Sequence, residues 1–380
     1  MSSSNQNEGA GRREDSVSRR EFLVRLGLTG ALIAGSGLAA RKLWQPKHFV
    51  PGFEKVTGQQ LKSYAPETSK VLPSLAIAHG TEHEKTIRAA LGALGGIGRF
   101  IQHGDVVMIK PNVAFDRPPA LAATTHPEAL RTVAKLCFEA GASKVIVADN
   151  PINSPTGCFL KSGLTAVAAD MNLDLMYPES SSFAPLSLDG EILKEWTFFN
   201  APFKRATKVI GLAPCKDHNL CHASMTTKNW YGLLGGRRNQ FHQHIHSIVS
   251  DFPLMMKPTL VILDGMNVLM SNGPTGGRRN QFHQHIHSIV SDFALMMKPT
   301  LVILDGMNVL MSNGPTGGRL SDVKPMNTIV AGTDMIAVDA YGYSHLLERD
   351  IAELTYLHKA QERGLGNINW KDTLHKEVTV

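Results

Sequence analysis

The chain has 380 residues, 43% of them hydrophobic, which is enough to bury a substantial core, so its composition excludes wholesale disorder. Its 39 Lys and Arg against 33 Asp and Glu give a net +6, of which the first 40 residues hold only +1 (five Arg, four acids). No Lys/Arg run is interleaved with aromatic residues, so no nucleic-acid partner is expected, and the diffuse basic excess suits an anionic small molecule.

The chain opens on an address. Ser18-Arg19-Arg20-Glu21-Phe22-Leu23 precedes an uncharged, mildly apolar stretch from Leu26 to Ala40, followed by Arg41 and Lys42. A paired arginine, a short apolar run and small residues at Gly37, Ala39 and Ala40 match a twin-arginine signal peptide over residues 1–40. The expected partner is the twin-arginine export machinery and the expected location periplasmic. The run is shorter than the roughly 20 residues of a membrane span, so no stable span is expected after cleavage near Ala39 or Ala40. An uncleaved anchor is the alternative. Because this route carries folded proteins, often with a cofactor loaded, it raises the expectation of a cofactor without naming one.

Residues 41–80 read as a linker leading into one α/β domain over 81–380. Glu82 to Leu94 is predicted helical, and Asp105 to Ile109 is a short buried strand ending in Lys110-Pro111-Asn112. Thr125 and Glu128 have capping-box spacing, with Pro127 in the first turn; Leu130, Val133, Ala134 and Cys137 then recur at helical spacing up to Ala140-Gly141. Lys144 to Ala148 is the next strand and ends in Asp149-Asn150-Pro151, which makes a βαβ unit with parallel strands. A helix over Ser162 to Met171 follows. Later strands are predicted at Lys208 to Leu212, Leu301 to Leu304 and Thr328 to Ala331, with a helix through Asp339 and Tyr341. The expected fold is therefore an open, mostly parallel, doubly wound sheet with helices on both faces.

In such sheets ligands bind beyond the carboxyl ends of the strands. Lys110, Asn112, Asp149, Lys216 and His218 would all lie along that edge, although polar residues follow strands in any α/β protein. Lys110, Lys216 and Lys228 are suitable point charges for phosphate or carboxylate, and Asn112 and Asn229 can orient such a group by hydrogen bonds. Asp149, His218 and Lys216 are the candidates for catalysis, His218 and Asp149 for proton transfer. No P-loop, serine elbow or G-x-G-x-x-G is present to narrow the chemistry.

Four cysteines, Cys137, Cys158, Cys215 and Cys221, contain no C-x-x-C, so no iron–sulfur or zinc-ribbon motif is present. Cys215 and Cys221 are near enough in sequence for a disulfide, which spacing alone does not establish. Residues 235–275 recur as 276–316, an offset of 41 with one difference, Pro253 against Ala294. Such a repeat reads as a recent tandem duplication or a sequence-assembly error rather than a solenoid, which needs at least three stacked units. The native slot for this segment takes one copy or a hybrid of the two. The duplication doubles an H-x-H-x-H run, so His242, His244 and His246 are candidate zinc or nickel ligands only if that run is a strand; a loop or helix start is the competing reading.

The ordered blocks Lys110-Pro111-Asn112, Thr125-His126-Pro127-Glu128, Glu139-Ala140-Gly141-Ala142 into Val147-Ala148-Asp149-Asn150-Pro151, the Lys216/His218 loop, Lys228-Asn229 and Asn313-Gly314-Pro315 resemble domain-of-unknown-function family 362. The resemblance runs from about Val106 to the C-terminal helix and implies a fold and a set of positions but no substrate. Some relatives carry ferredoxin-like iron–sulfur modules, which this chain lacks by its cysteines. Three functions follow: an exported enzyme acting on an anionic small molecule at the sheet's C-terminal edge, a non-catalytic periplasmic binding protein using that edge, and an inactive duplicated allele.

Overall fold

A βαβ unit sets the frame. Strand β2 (Val106–Lys110), helix α2 (Pro127–Glu139) and strand β3 (Lys144–Ala148) follow one another, and the two strands pair in parallel from Val106↔Lys144 to Ile109↔Val147. A computed structural model describes residues 61–66, 71–187, 195–236 and 290–380, less 292, 293, 295 and 296. The twin-arginine stretch and His242, His244 and His246 lie outside the described residues.

Residue-by-residue alternation on the strands produces two cores. Val107, Ile109, Val145 and Val147 face one cluster, whereas Met108 and Ile146 face the other, as side chains on a pleated strand must. The first face is covered by α2, by α1 (His83–Ala93) through Ile87 and Leu91, and by α3 (Pro155–Lys161) and α4 (Leu164–Asp170) through Phe159 and Leu164. On the second face lie Trp230 and the helices α7 (Met335–Tyr341) and α8 (Thr355–Glu362). Each fully buried Leu, Ile or Phe contributes about 1.5–3 kcal/mol, so sealing both faces provides most of the driving force.

The remaining strands extend the frame. They are β1 (Leu75–His79), β4 (Asp174–Met176), β7 (Lys208–His218), β8 (His222–Ser224), β9 (Leu301–Leu310), β10 (Val323–Gly332) and β11 (His375–Thr379), and the spatial order is β11-β1-β10-β9-β7-β2-β3-β4, with β8 on β7. Pairs β1/β11, β2/β3, β2/β7, β3/β4 and β7/β9 are parallel; β1/β10, β9/β10 and β7/β8 are antiparallel. This is the expected mostly parallel, two-sided α/β sheet, with an antiparallel insertion at β10. Strand β1 falls in the stretch read as linker. A separate hairpin pairs β5 (Phe183–Ser187) with β6 (Glu195–Phe199), and the short helix α5 (Ala201–Arg205) follows it.

Two local expectations change. The cap of α2 is His126 rather than Thr125: its Nδ1 accepts from the Glu128 N–H at 3.2 Å, while the Thr125 hydroxyl donates to Leu212 O at 2.9 Å. Gly141, at φ +92°, ends the helix as predicted, in a conformation that costs any other residue. The cysteines are all free and buried, so Cys215 and Cys221 form no disulfide. Strand β9 belongs wholly to the second repeat copy; its counterpart in the first copy lies outside the described residues. Among the described residues no helix is long and apolar enough to cross a membrane.

Candidate functional site

Lys110 is the last residue of β2 and is only 1% exposed. A buried ammonium needs partners for its three donors, and its Nζ donates to Asp149 Oδ1, Asn229 Oδ1 and Pro111 O, each at 2.8 Å. Asp149 directly follows β3. Its Oδ1 also accepts from the Asn150 N–H and its Oδ2 from the Val113 N–H, both at 2.8 Å. This pair thus ties two parallel strand ends to the loop after β2. Gly232 packs against it so closely that a Cβ there would lie 2.6 Å from Asp149 Oδ1 and 3.0 Å from Lys110 Nζ.

Asparagines extend the network. Asn229 Nδ2 donates to Lys110 O at 3.2 Å, and Asn229 Oδ1 accepts a second bond from Asn112 Nδ2 at 3.2 Å. Asn112 is held in place by its own N–H, which donates to Thr125 Oγ1 at 2.8 Å. Its remaining oxygen, Oδ1, accepts from Lys216 Nζ at 3.1 Å.

Lys216 lies near the end of β7 and is buried like Lys110, but its surroundings differ. Its Nζ donates to Asn112 Oδ1 and, at 2.6 Å, to Ala123 O, both neutral oxygens; the Phe115 ring centroid lies 5.4 Å away. Burial pushes its pKa down to about 7, and the positive charges of Lys228 and Lys110 push the same way. An ammonium here is poorly compensated.

Lys228 and Asn229 sit on the one-turn helix α6 (Thr226–Asn229). Asp339, buried on α7, anchors that turn: its Oδ1 accepts from the Thr226 N–H (2.8 Å) and hydroxyl (2.5 Å), and its Oδ2 from the Thr227 N–H (3.0 Å) and Tyr356 hydroxyl (3.2 Å). Burial raises the Asp339 pKa against these hydrogen bonds, which act to lower it. Lys228 Nζ lies 4.4 Å from the Tyr231 ring centroid. His218 closes β7, with its Nδ1 accepting the Leu220 N–H at 3.1 Å, so a neutral ring carries its proton on Nε2. Of the seven residues singled out, the structure links Lys110, Asn112, Asp149, Lys216 and Asn229 in one hydrogen-bonded network. Lys228 flanks it, and His218 lies two residues beyond Lys216.

A family model for domain of unknown function 362 matches residues 107–282 and 276–344. The chain belongs to this family. The second matched segment of this family 362 protein begins where the second repeat copy begins. A thylakoid-associated protein of Synechocystis is 28% identical over 205 residues, which cover 50% of this chain and 60% of that relative. The family 362 protein thus spans about 60% of the length of the curated relative it matches. A solved lactate racemase apoprotein from Thermoanaerobacterium thermosaccharolyticum is similar at a TM-score of 0.39 and 11% identity, over 73% of this chain and 60% of that one. A likeness at that level says nothing about chemistry.

The structure of the family 362 protein also brings together residues that sequence reading left apart. His83, at the start of α1, places Nε2 3.2 Å from Asp305 Oδ2 on β9, and its ring stacks on His126 at 4.3 Å and 10°. Burial acts to lower the His83 pKa, but the hydrogen bond and charge of Asp305 outweigh it and the net shift is upward. Burial lowers His126, and His83 adds to that. Two adjacent imidazoles shifted in opposite directions suit an acid and a base. In sequence these residues show only as Asp305 directly after the apolar run Leu301 to Leu304 and His126 directly before Pro127. Among the described residues no group of three or more His, Cys, Asp or Glu could hold a metal ion.

Proposed function

We propose that this family 362 protein binds an anionic small molecule, a phosphate or carboxylate, at the carboxyl edge of its sheet, and acts on it as an enzyme. One observation carries the reading: Lys216 is buried with two neutral acceptors and, among the described residues, no carboxylate as a hydrogen-bond partner, beside two further lysines. Burying an ammonium this way is unfavourable, and an arriving anion removes the penalty. Lys216 and Lys228 are the recognition charges; Asn112 positions Lys216, and Asn229 braces Asn112. Asp149 has both oxygens engaged, so its role is to fix Lys110; proton transfer falls to Lys216 and His218.

We propose also that the protein reaches the periplasm through the twin-arginine machinery. The Arg19-Arg20 pair ahead of an uncharged run supports this, and similarity to a thylakoid-associated protein is compatible with it. Replacing Arg19 and Arg20 together by Lys should leave the protein in the cytoplasm; undiminished export would remove the proposal.

Anion binding is tested by thermal unfolding with inorganic phosphate, acetate and oxalate at pH 6 and pH 9. At least one anion should raise the midpoint, more at pH 6 where Lys216 is charged, and the rise should vanish in Lys216→Met and Lys228→Met but persist in the exposed Lys85→Met. No response to any anion, or equal responses in all variants, would refute the site.

A further inference from the structure

We propose that Lys216 is a nucleophile that forms an imine with the carbonyl carbon of an oxo acid. The inference rests on the anion site above and names its substrate class. Two lysines of one network are compared by their acceptors. Lys110 Nζ has three oxygen acceptors, one of them the Asp149 carboxylate, and this arrangement holds an ammonium. Lys216 Nζ has two, Asn112 Oδ1 at 3.1 Å and Ala123 O at 2.6 Å, neither charged. A neutral amine has two N–H donors and one lone pair. Two acceptors take both donors and leave the lone pair at the remaining tetrahedral position.

The surroundings favour the same form. Desolvation together with neighbouring cations is how a lysine becomes nucleophilic at neutral pH, and Lys216 has both, with Lys228 and Lys110 beside it and about 7 as its pKa. Phe115, itself partly exposed, places its ring centroid 5.4 Å from Nζ. Lys228 supplies a charge for the carboxylate of an acid whose carbonyl meets Nζ. The nitrogen lone pair forms a C–N bond as the C=O π pair moves to oxygen, which takes up a proton to give a carbinolamine. Nitrogen then loses a proton, its lone pair forms the C=N bond as the C–O bond breaks with uptake of another proton at oxygen, water leaves, and the resulting iminium gives the imine on losing its N–H proton. No oxidant or reductant is required.

The test is reductive trapping of the full-length protein with glyoxylate and cyanoborohydride at pH 7, followed by peptide mapping. Lys216 should be modified at least tenfold faster than the exposed Lys85 and Lys135, and glycolate, which lacks the carbonyl, should protect it while leaving no adduct. Unfolding midpoints with both acids are measured in parallel. If the acids stabilise the protein but Lys216 reacts no faster than Lys85, the imine is refuted and the anion site stands. If neither acid stabilises the protein and Lys216 stays unmodified, both fall. The mapping is done on wild-type protein, so the outcome does not depend on a variant folding.

Discussion

Replacing Lys216 by Met removes a buried titrating group, and the consequence is a change in how stability depends on pH. In the folded protein the ammonium loses its proton at about 7, against an ordinary 10.5. Between those values the unfolded chain binds more protons, so the wild-type protein gains stability as pH rises. The contribution is fully present above about 10.5 and is lost as pH falls towards 7. With roughly 1.4 kcal/mol per pH unit, the change between pH 7 and 9.5 is roughly 3 kcal/mol. Met leaves Asn112 Oδ1 and Ala123 O without their donor, at about 1–3 kcal/mol each, but that loss does not titrate. Urea unfolding of both proteins across pH 7 to 9.5 should therefore give curves that diverge by roughly 3 kcal/mol, the variant being relatively better at pH 7. Parallel curves would mean that Lys216 is charged throughout and well compensated, and the anion argument would fail with them.

Three further outcomes follow from the geometry. Lys110→Met strands the Asp149 carboxylate in the interior and should cost about 3–5 kcal/mol of unfolding free energy, partly recovered in a Lys110→Met/Asp149→Leu double variant. Asp305→Asn removes the main group that raises the His83 pKa and leaves burial opposed only by the charge of Glu128, so its imidazole should titrate lower than in the wild-type protein by NMR. The stability that Asp305 confers is full below about 6.5 and lost as pH rises through the raised folded value, so the variant should be weakened chiefly at acid pH. Deleting residues 235–275 puts Gly276 where Gly235 stood and keeps the β9 that pairs with β7, so urea stability should change by only about 1 kcal/mol, the closure entropy of the shortened connection.

Much of the sheet was legible because its inner strands are short apolar runs that stop at polar residues. Lys144–Ala148 is read to the residue, and α1 and α2 to within one or two. What sequence missed is non-local. Strands β1 and β11 are weakly patterned and gain their place only by pairing with each other and with β10. Strands β7, β9 and β10 run on past their apolar runs, through Lys216, Asn308 and Lys324, because neighbouring strands satisfy their backbones there. The site was legible as a set of residue types, but not as a division of labour. Nothing in the sequence separates Lys110 from Lys216, and the His83–Asp305 contact spans 222 positions with no motif to announce it.

That division of labour is what the proposed anion site rests on. Lys110 at the end of β2 and Lys216 near the end of the neighbouring parallel strand β7 are equally buried, and both reach toward the Asn112–Asn229 pair. Asp149 follows β3, on the far side of β2, and its direct contact is with Lys110, while for Lys216 its charge only partly offsets burial. The lysine it neutralises becomes a structural tie, since its charge, its donors and the close passage of Gly232 all fix it in place. The lysine left over carries the cost of burial as a lowered proton affinity, which is what a ligand's negative charge or a carbonyl carbon can relieve. A substitution that supplied Lys216 with a carboxylate, such as Asn112→Asp, should raise its proton affinity and abolish both its anion response and its reactivity while leaving the fold intact. Survival of either property in that variant would show that the unpaired charge of Lys216 is not what makes the edge a site.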